Sequence, residues 1–162
     1  MNENEIKQNE TVEETTTTEN TLATVGQTYE IGAGTSATPV FSSFDTTTPD
    51  GKKKLYNYTN RPDYNISDFI NKPIDVVGIY VDVNSRVIKD GENAGMVEDK
   101  PRTILVDVNG KSYIAGVSIG VYTAVREIIR IFGHPATWGE PLRVMPVNVK
   151  TPKGNMLSLE IV

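Results

Sequence analysis

One short stretch of the chain combines the two residue types that hold unstacked nucleic acid. The run KKKLYNYTNRPDY, from Lys52 to Tyr64, interleaves cations with tyrosines and contains one acidic residue. Cations neutralise phosphates and release their counterions, while an aromatic face accepts an unstacked base of any identity. The run therefore predicts sequence-tolerant binding of single strands. The alternative interpretation is a solvated lysine run whose tyrosines pack onto the folded body.

Four residues outside this run extend the candidate surface. Tyr80 stands two positions after Gly78 in a strand, where a ligand can approach the backbone closely; the equal alternative is that both faces of the strand are buried and Tyr80 is packed. Arg86 and Arg102 lie in or beside a polar segment of mixed charge, which either borders the ligand or is a hydrophilic loop without a binding role. Trp138 lies in a Gly/Pro-rich connection, where it either stacks a base or, by the favoured interpretation, caps the end of the core. The residues predicted to contact DNA are Lys52, Lys53, Lys54, Tyr56, Tyr58, Arg61, Tyr64, Tyr80, Arg86, Arg102 and Trp138.

No set of residues suggests catalysis. The chain has no cysteine and one histidine, His134, which excludes thiol chemistry, disulfides and Cys- or His-rich metal sites. The glycines at Gly32 and Gly34 are not followed by the Lys-Ser/Thr pair of a phosphate loop. We therefore predict no catalytic residues, no metal site and no cofactor.

The charge of the chain is unevenly distributed. The net charge is −5, yet residues 1–30 hold seven acidic residues and one lysine, which leaves the remainder close to neutral. This segment is rich in Glu, Asn and Thr and has too few apolar residues to offset the entropy of ordering. We expect residues 1–50 to be an acidic, Thr-rich, disordered arm and linker, in which Phe41 and Phe44 offer an anchor. Residues 51–162 are expected to form a nucleic-acid-binding domain.

The apolar pattern of this domain predicts a mainly β fold. Alternating or β-branched runs predict strands at Ile74–Val83, Arg102–Val108, Lys111–Val117, Leu142–Val149 and Asn155–Val162. One helix is expected at Ile119–Phe132, with Ser118 as its N-cap and Gly133 as its left-handed C-terminal residue. Five strands with a helix between the third and the fourth is the element order of the OB-fold barrel. A five-stranded antiparallel sheet with the helix on one face is the alternative.

The connections carry predictions of their own. The dipeptide Asn109-Gly110 predicts a two-residue type I′ turn, which pairs Val106 with Tyr113. The polar, charged stretch Asn84–Pro101 predicts a long loop, and Asn65–Pro73 predicts a single capped turn.

Three segments, Leu55–Val81, Pro101–Tyr122 and Ile131–Val144, resemble single-stranded-DNA-binding-like proteins encoded by phages of Gram-positive bacteria. The most recognisable parts are the PRTILVDVNGKSY hairpin and the IFGHP…W…P stretch, and the resemblance covers about residues 55–162. It implies an OB-fold that coats single strands during phage DNA replication.

The resemblance also sets the expected partners and location. Single-stranded DNA is the implied ligand, with replication proteins as further partners and the host cytoplasm as the location. We expect no membrane association, because no apolar run approaches the ~18–20 residues that span a bilayer. The alternative function is a phage structural or protein-interaction module that does not bind nucleic acid.

Overall fold

The structure is a computed structural model that describes residues 29–30 and 35–162. Residues 1–28 and 31–34 lie outside it, and with them most of the acidic arm expected from composition. The strands are β1 (Tyr29–Glu30), β2 (Thr35–Ser42), β3 (Tyr64–Asn65), β4 (Ile74–Val87), β5 (Val97–Asp107), β6 (Ser112–Ala115), β7 (Leu142–Thr151) and β8 (Gly154–Ile161). The helices are α1 (Pro49–Asn60) and α2 (Ile119–Phe132), with short 3-10 turns at Ile66–Phe69 and Pro135–Thr137.

The described strands form one curled sheet with the character of a half-barrel. Its path runs β1-β2-β4-β5-β6-β3, and every pair along it is antiparallel except β3–β6. β4 belongs to both halves of the curl. Its first residues, Ile74–Val76, pair with β7, and its later residues, from Tyr80 to Arg86, pair with β2. The predicted mainly β class is confirmed.

The five predicted strands lie at β4 to β8, and the predicted helix is α2. The prediction of five strands and one helix was incomplete, because the described part of the chain has an eight-stranded sheet and two helices. The additions are N-terminal: β2 and the first turn of α1 fall in the stretch that composition assigns to a linker. The backbone of β2 is paired along β4, so its small and polar residues do not need a core of their own to be ordered.

α2 covers one face of the sheet. Val121, Val125 and Ile128 of the helix are buried in a cluster with residues of β4, β5, β6 and β7. The helix begins and ends as its sequence predicts. The Ser118 hydroxyl accepts a bond from the Val121 N–H at 3.3 Å, and Gly133 follows with φ 75°.

A second apolar cluster lies on the opposite face of the sheet. Tyr80, Ile104 and Val106 are buried there beneath Phe44 and α1. The Phe44 ring lies so close to β4 that a Cβ at Gly78 would come within 2.7 Å of it. The sequence left two interpretations open beside Gly78, the approach of a ligand and a packed Tyr80, and the packed one agrees with the structure, because the Phe44 side chain fills the space.

Two connections differ from their predictions. β4 continues to Val87 and β5 begins at Val97, so the expected long loop shrinks to residues 88–96. The extended parts of β4 and β5 contain charged residues that pair with one another across the two strands. Arg86 lies opposite Glu98, and its Nε donates to the Glu98 carboxylate at 3.0 Å.

The β5–β6 hairpin is shifted by one residue from the predicted register. Val106 pairs with Ser112 instead of Tyr113. The Asp107 N–H donates to the Lys111 carbonyl oxygen at 2.9 Å, which closes a connection of three residues, 108–110. The Asp107 carboxylate stabilises it by accepting the N–H groups of Asn109 and Lys111. Among its residues only Gly110 has positive φ, at 73°, so the turn is not type I′.

Candidate nucleic-acid interface

α1 forms in a segment for which the sequence predicted no helix, and its start is well capped. The Thr48 hydroxyl accepts a bond from the Gly51 N–H at 3.1 Å, and Pro49 occupies the first turn, where its missing N–H is harmless. Gly51 lets the helix approach the preceding loop, since a Cβ there would lie 1.6 Å from the Asp45 carbonyl oxygen. Leu55 and Thr59 then face the sheet, half-buried, at helical spacing.

The outward side of α1 carries the cations of the predicted run. Lys52, Lys53 and Lys54 are all exposed, and the Tyr56 side chain is 64% exposed. Lys53 Nζ lies 3.9 Å from the Asp50 carboxylate, a loose pair on the surface. Within the described residues, the other two lysines have no acidic partner. Their charges are therefore available to an anion.

The run continues from α1 onto an aromatic cluster. Arg61, at the C-cap of α1, is exposed. The Tyr64 ring is 41% exposed and lies 5.1 Å from the ring of Phe69 and 5.2 Å from that of Tyr113. Lys72 lies over Phe69, with its Nζ 5.6 Å from the ring centroid. We call residues 52–64 the basic–aromatic strip.

Asp63 fastens the far end of the strip to the sheet. Its carboxylate accepts the backbone N–H of Ser112 at 2.9 Å and lies 3.4 Å from Lys111 Nζ. The bond from Ser112 holds the pKa of Asp63 below its usual value. The carboxylate is therefore charged at neutral pH. Asp63, the one acidic residue of the strip, holds the strip against β6 through these contacts.

Arg102 of β5 links α1 to the sheet by hydrogen bonds. Its guanidinium forms a two-pronged pair with Asp82, whose side chain is 2% exposed, and its Nη1 donates to the carbonyl oxygen of Thr59 at 3.0 Å. A cation at this end of the helix also complements the helix dipole. The sequence predicted Arg102 as a phosphate contact; in the structure its Nε, Nη1 and Nη2 each donate to a protein oxygen.

Two of the predicted stacking tyrosines are packed instead of offered to a ligand. Tyr80 is 8% exposed, and its ring lies in the cluster under α1, which agrees with the packed interpretation that the sequence left open. Burial and the nearby Asp82 charge raise the pKa of Tyr80 to about 12. Tyr58 is half-buried, with its ring 5.4 Å from that of Phe44.

The remaining two predicted residues lie away from the strip. Arg86 is four residues beyond Asp82 on β4, a distance of about 13 Å along a strand, and it is paired with Glu98. Trp138 is half-buried against the core on the α2 side, and its indole N–H donates to the carbonyl oxygens of Phe132 and Gly133. This is the capping position that the sequence favoured.

The structure adds residues that the sequence did not single out. Lys72 and Phe69 lie beside the end of the strip, because the turn at Ile66–Phe69 folds back against Tyr64. Two further exposed lysines, Lys150 and Lys153, stand at the tip of the β7–β8 hairpin. Two isolated lysines in a polar hairpin form no sequence pattern that predicts binding, so these residues are recognised only from their position in the fold.

Two negative observations apply to residues 29–30 and 35–162. They contain no group of three or more His, Asp or Glu side chains placed to hold a metal ion. None of their helices is long and apolar enough to cross a membrane.

A curled β half-barrel that presents unpaired cations beside exposed tyrosines has the surface of a protein that binds single-stranded nucleic acid. A family model described as phage single-stranded DNA-binding protein matches residues 34–162. The chain belongs to this family, which confirms the resemblance. No curated protein and no solved structure matches it.

Proposed function

We propose that this protein is a non-catalytic, sequence-tolerant single-stranded DNA-binding protein that coats single strands during phage DNA replication in the host cytoplasm. The observation that carries the proposal is the basic–aromatic strip, in which exposed cations without strong partners alternate with exposed tyrosines. Family membership supports single-stranded DNA as the ligand. Replication proteins are proposed as further partners.

Each part of the strip has a proposed role. Lys52, Lys53, Lys54 and Arg61 bind phosphates, since they are exposed along one continuous segment. Tyr56 and Tyr64 stack bases, at roughly 1–3 kcal/mol per base. This assignment omits five predicted residues that are packed or paired within the fold: Tyr58, Tyr80, Arg86, Arg102 and Trp138.

The proposed architecture is an OB-fold with N-terminal additions. The order β4, β5, β6, α2, β7 and β8 agrees with that of the OB-fold. We further propose that the binding unit begins at β2, because β2 is paired along β4 and Phe44 closes the second cluster. The acidic segment before it is then an appendage to this unit.

The test is a fluorescence anisotropy titration with oligo-dT, duplex DNA and single-stranded RNA at several salt concentrations. Single strands should bind better than duplex, and the log affinity should fall with log salt at a slope of about −2 to −3, since each neutralised phosphate contributes about −0.7. The double variant K52Q/K54Q should lose about 1.4 of that slope.

The control variant K89Q/R126Q removes the same charge elsewhere. Both side chains are exposed and without an acidic partner in the described residues; Lys89 lies in the 88–96 tip and Arg126 on α2, on the other face of the sheet. It should keep the wild-type slope. A salt-independent affinity, or equal losses in the two variants, would favour the structural-module alternative.

A further inference from the structure

The β7–β8 hairpin has apolar side chains on the side that faces away from the core. Successive side chains of a strand point to opposite faces of the sheet. Val144 and Leu159 pack in the core cluster beside α2, so Val149 and Met156, at odd spacing from them, point to the other face. These two residues lie directly opposite each other in the hairpin, and both are exposed. The outward apolar side chains of the hairpin are Met145, Val147, Val149 and Met156.

These side chains continue around the edge of β8 to the start of α2. Met156 lies against Gly120, since a Cβ there would come within 2.6 Å of the Met156 Cγ. Val117 and Ile119, just before Gly120, are both exposed. Single exposed apolar residues are normal, whereas a contiguous group is typical of a surface that contacts another protein. We call this group the outer apolar face: Val117, Ile119, Met145, Val147, Val149 and Met156.

The neighbouring part of the same sheet face is covered by a helix. Tyr80 of β4 and Ile104 of β5 are buried beneath Phe44 and α1. Among residues 29–30 and 35–162, nothing buries Val149 and Met156 in that way. An apolar sheet face is stabilised when another element packs on it, so the outer apolar face fits an amphipathic helix supplied from outside the described fold.

The side chains of the outer apolar face favour a protein over a nucleic acid. All six are aliphatic or, for the two methionines, thioethers, so none offers a ring on which a base can stack. Methionine is unbranched and adapts its shape to different partners, and it is enriched at protein interfaces. The basic–aromatic strip has the opposite composition, with cations and tyrosines.

The charges around the outer apolar face favour an acidic partner. Lys150 and Lys153 lie at the tip of the hairpin, and both are exposed. Glu160 is the acidic residue of the hairpin, and it lies at the opposite end, across from Met145. No salt bridge within the described part of the chain engages any of these three charges. A partner is therefore attracted most strongly when its carboxylates lie at the tip end of the face.

We propose that the outer apolar face docks an acidic amphipathic helix of a separate protein, whose apolar side packs on Val149 and Met156 while its carboxylates pair with Lys150 and Lys153. The face shares no residue with the basic–aromatic strip. The inference deepens the proposed function, on which it rests for the existence of protein partners, and it does not require that the strip binds DNA.

The test uses a fluorescein-labelled synthetic helix of about five turns, with leucines on one side and glutamates elsewhere, titrated with the full chain. V149S/M156S should bind this peptide about 10-fold more weakly than the wild type, because it removes the apolar centre of the contact. The matched control is V87S/V97S, since Val87 and Val97 are a directly opposed pair of exposed apolar residues on the β4–β5 hairpin. It should bind the peptide like the wild type.

A second variant tests the charges without changing the apolar side chains. K150Q/K153Q should bind the peptide more weakly at low salt, and its disadvantage should shrink as salt screens the exposed charges of the wild type. The control K89Q/R126Q should keep the affinity and the salt dependence of the wild type. A salt dependence that is the same in K150Q/K153Q and the wild type overturns the proposed pairing with carboxylates.

The remaining outcomes assign the outer apolar face to something else. No binding of the acidic peptide by the wild type, or equal binding by V149S/M156S and V87S/V97S, overturns the docking site. So does equal binding of a control peptide in which lysines replace the glutamates. Self-association that V149S/M156S abolishes, or displacement of the probe by a peptide of residues 1–28, assigns the face to this chain itself and overturns a separate partner.

Oligo-dT titrations separate this inference from the proposed function. V149S/M156S should bind oligo-dT like the wild type, and a loss of affinity would assign the face to DNA and overturn the docking site. If the wild type does not bind oligo-dT but V149S/M156S loses the acidic peptide, the proposed function fails while the docking site holds.

Discussion

Replacing Arg102 by Met should destabilise the protein without changing its affinity for single strands. The substitution leaves the Asp82 carboxylate, 2% exposed, without the guanidinium that pairs with it. Removing one partner of a buried ion pair costs about 3–5 kcal/mol. We expect the lower end, about 3 kcal/mol, because the Arg102 side chain is 30% exposed and the pair already has some contact with water.

Urea denaturation followed by circular dichroism measures this loss. With a slope of about 2 kcal/mol per molar urea, the midpoint should fall by roughly 1.5 M. The double variant D82L/R102M should recover most of the loss, because it removes both charges and fills the space with apolar groups. A loss below about 1 kcal/mol in R102M, or a double variant no more stable than R102M, would refute the idea that the Arg102–Asp82 pair stabilises the fold.

The same variant decides between the two roles of Arg102. A phosphate contact, as the sequence predicts, would remove about 0.7 from the salt slope of single-strand binding. If Arg102 only donates hydrogen bonds to Asp82 and to the Thr59 carbonyl oxygen, its replacement leaves the salt slope unchanged, provided that affinity is measured where the variant is fully folded.

Two further predictions concern the hairpin turn and the second cluster. Gly110→Ala should lower the free energy of unfolding by about 1–2 kcal/mol, because Gly110 has φ 73°, whereas Gly116→Ala, which meets open space, should change little; equal urea midpoints for the two variants would show that the turn carries no strain. Burial raises the pKa of Tyr80 from 10 in the unfolded chain to about 12. Ionisation of Tyr80 therefore leaves the free energy of unfolding unchanged below pH 10 and lowers it as the pH rises from 10 towards 12. Urea unfolding at pH 9 and 11 should show a smaller decline for Tyr80→Phe than for the wild type, and parallel declines would contradict the burial of an ionisable hydroxyl there.

The elements that the sequence predicted best are those whose signals are local. α2 was predicted with its bounds because Ser118, the apolar stripe and Gly133 all lie within one stretch of chain. The hairpin register required more than the Asn-Gly signal. The Asp107 carboxylate accepts two turn N–H groups and the Tyr113 hydroxyl, and that network selects the three-residue connection.

α1 shows why the candidate site was only partly predictable. Its sequence has a glycine, three consecutive lysines and no continuous apolar stripe, so the pattern predicted a basic, aromatic segment and no helix. The cap signal was present in Thr48, Pro49 and Asp50, and Leu55 and Tyr58 stand at helical spacing. What the sequence alone does not contain is the apolar sheet face that this helix covers, because Ile104 and Val106 are more than forty residues away along the chain.

The position of α1 also explains why the strip, and not the sheet beneath it, carries the binding proposal. A strand of DNA that stacked on Tyr80 would have to displace Phe44 and Leu55, which cover that cluster. It would also have to break the bond from Arg102 to the Thr59 carbonyl and expose a nearly buried carboxylate. The outward side of α1 requires none of these losses, since its lysines and Tyr56 already face solvent. The chain therefore uses one side of this helix to complete its core and leaves the other side exposed, and this exposed side is where we propose that the ligand binds.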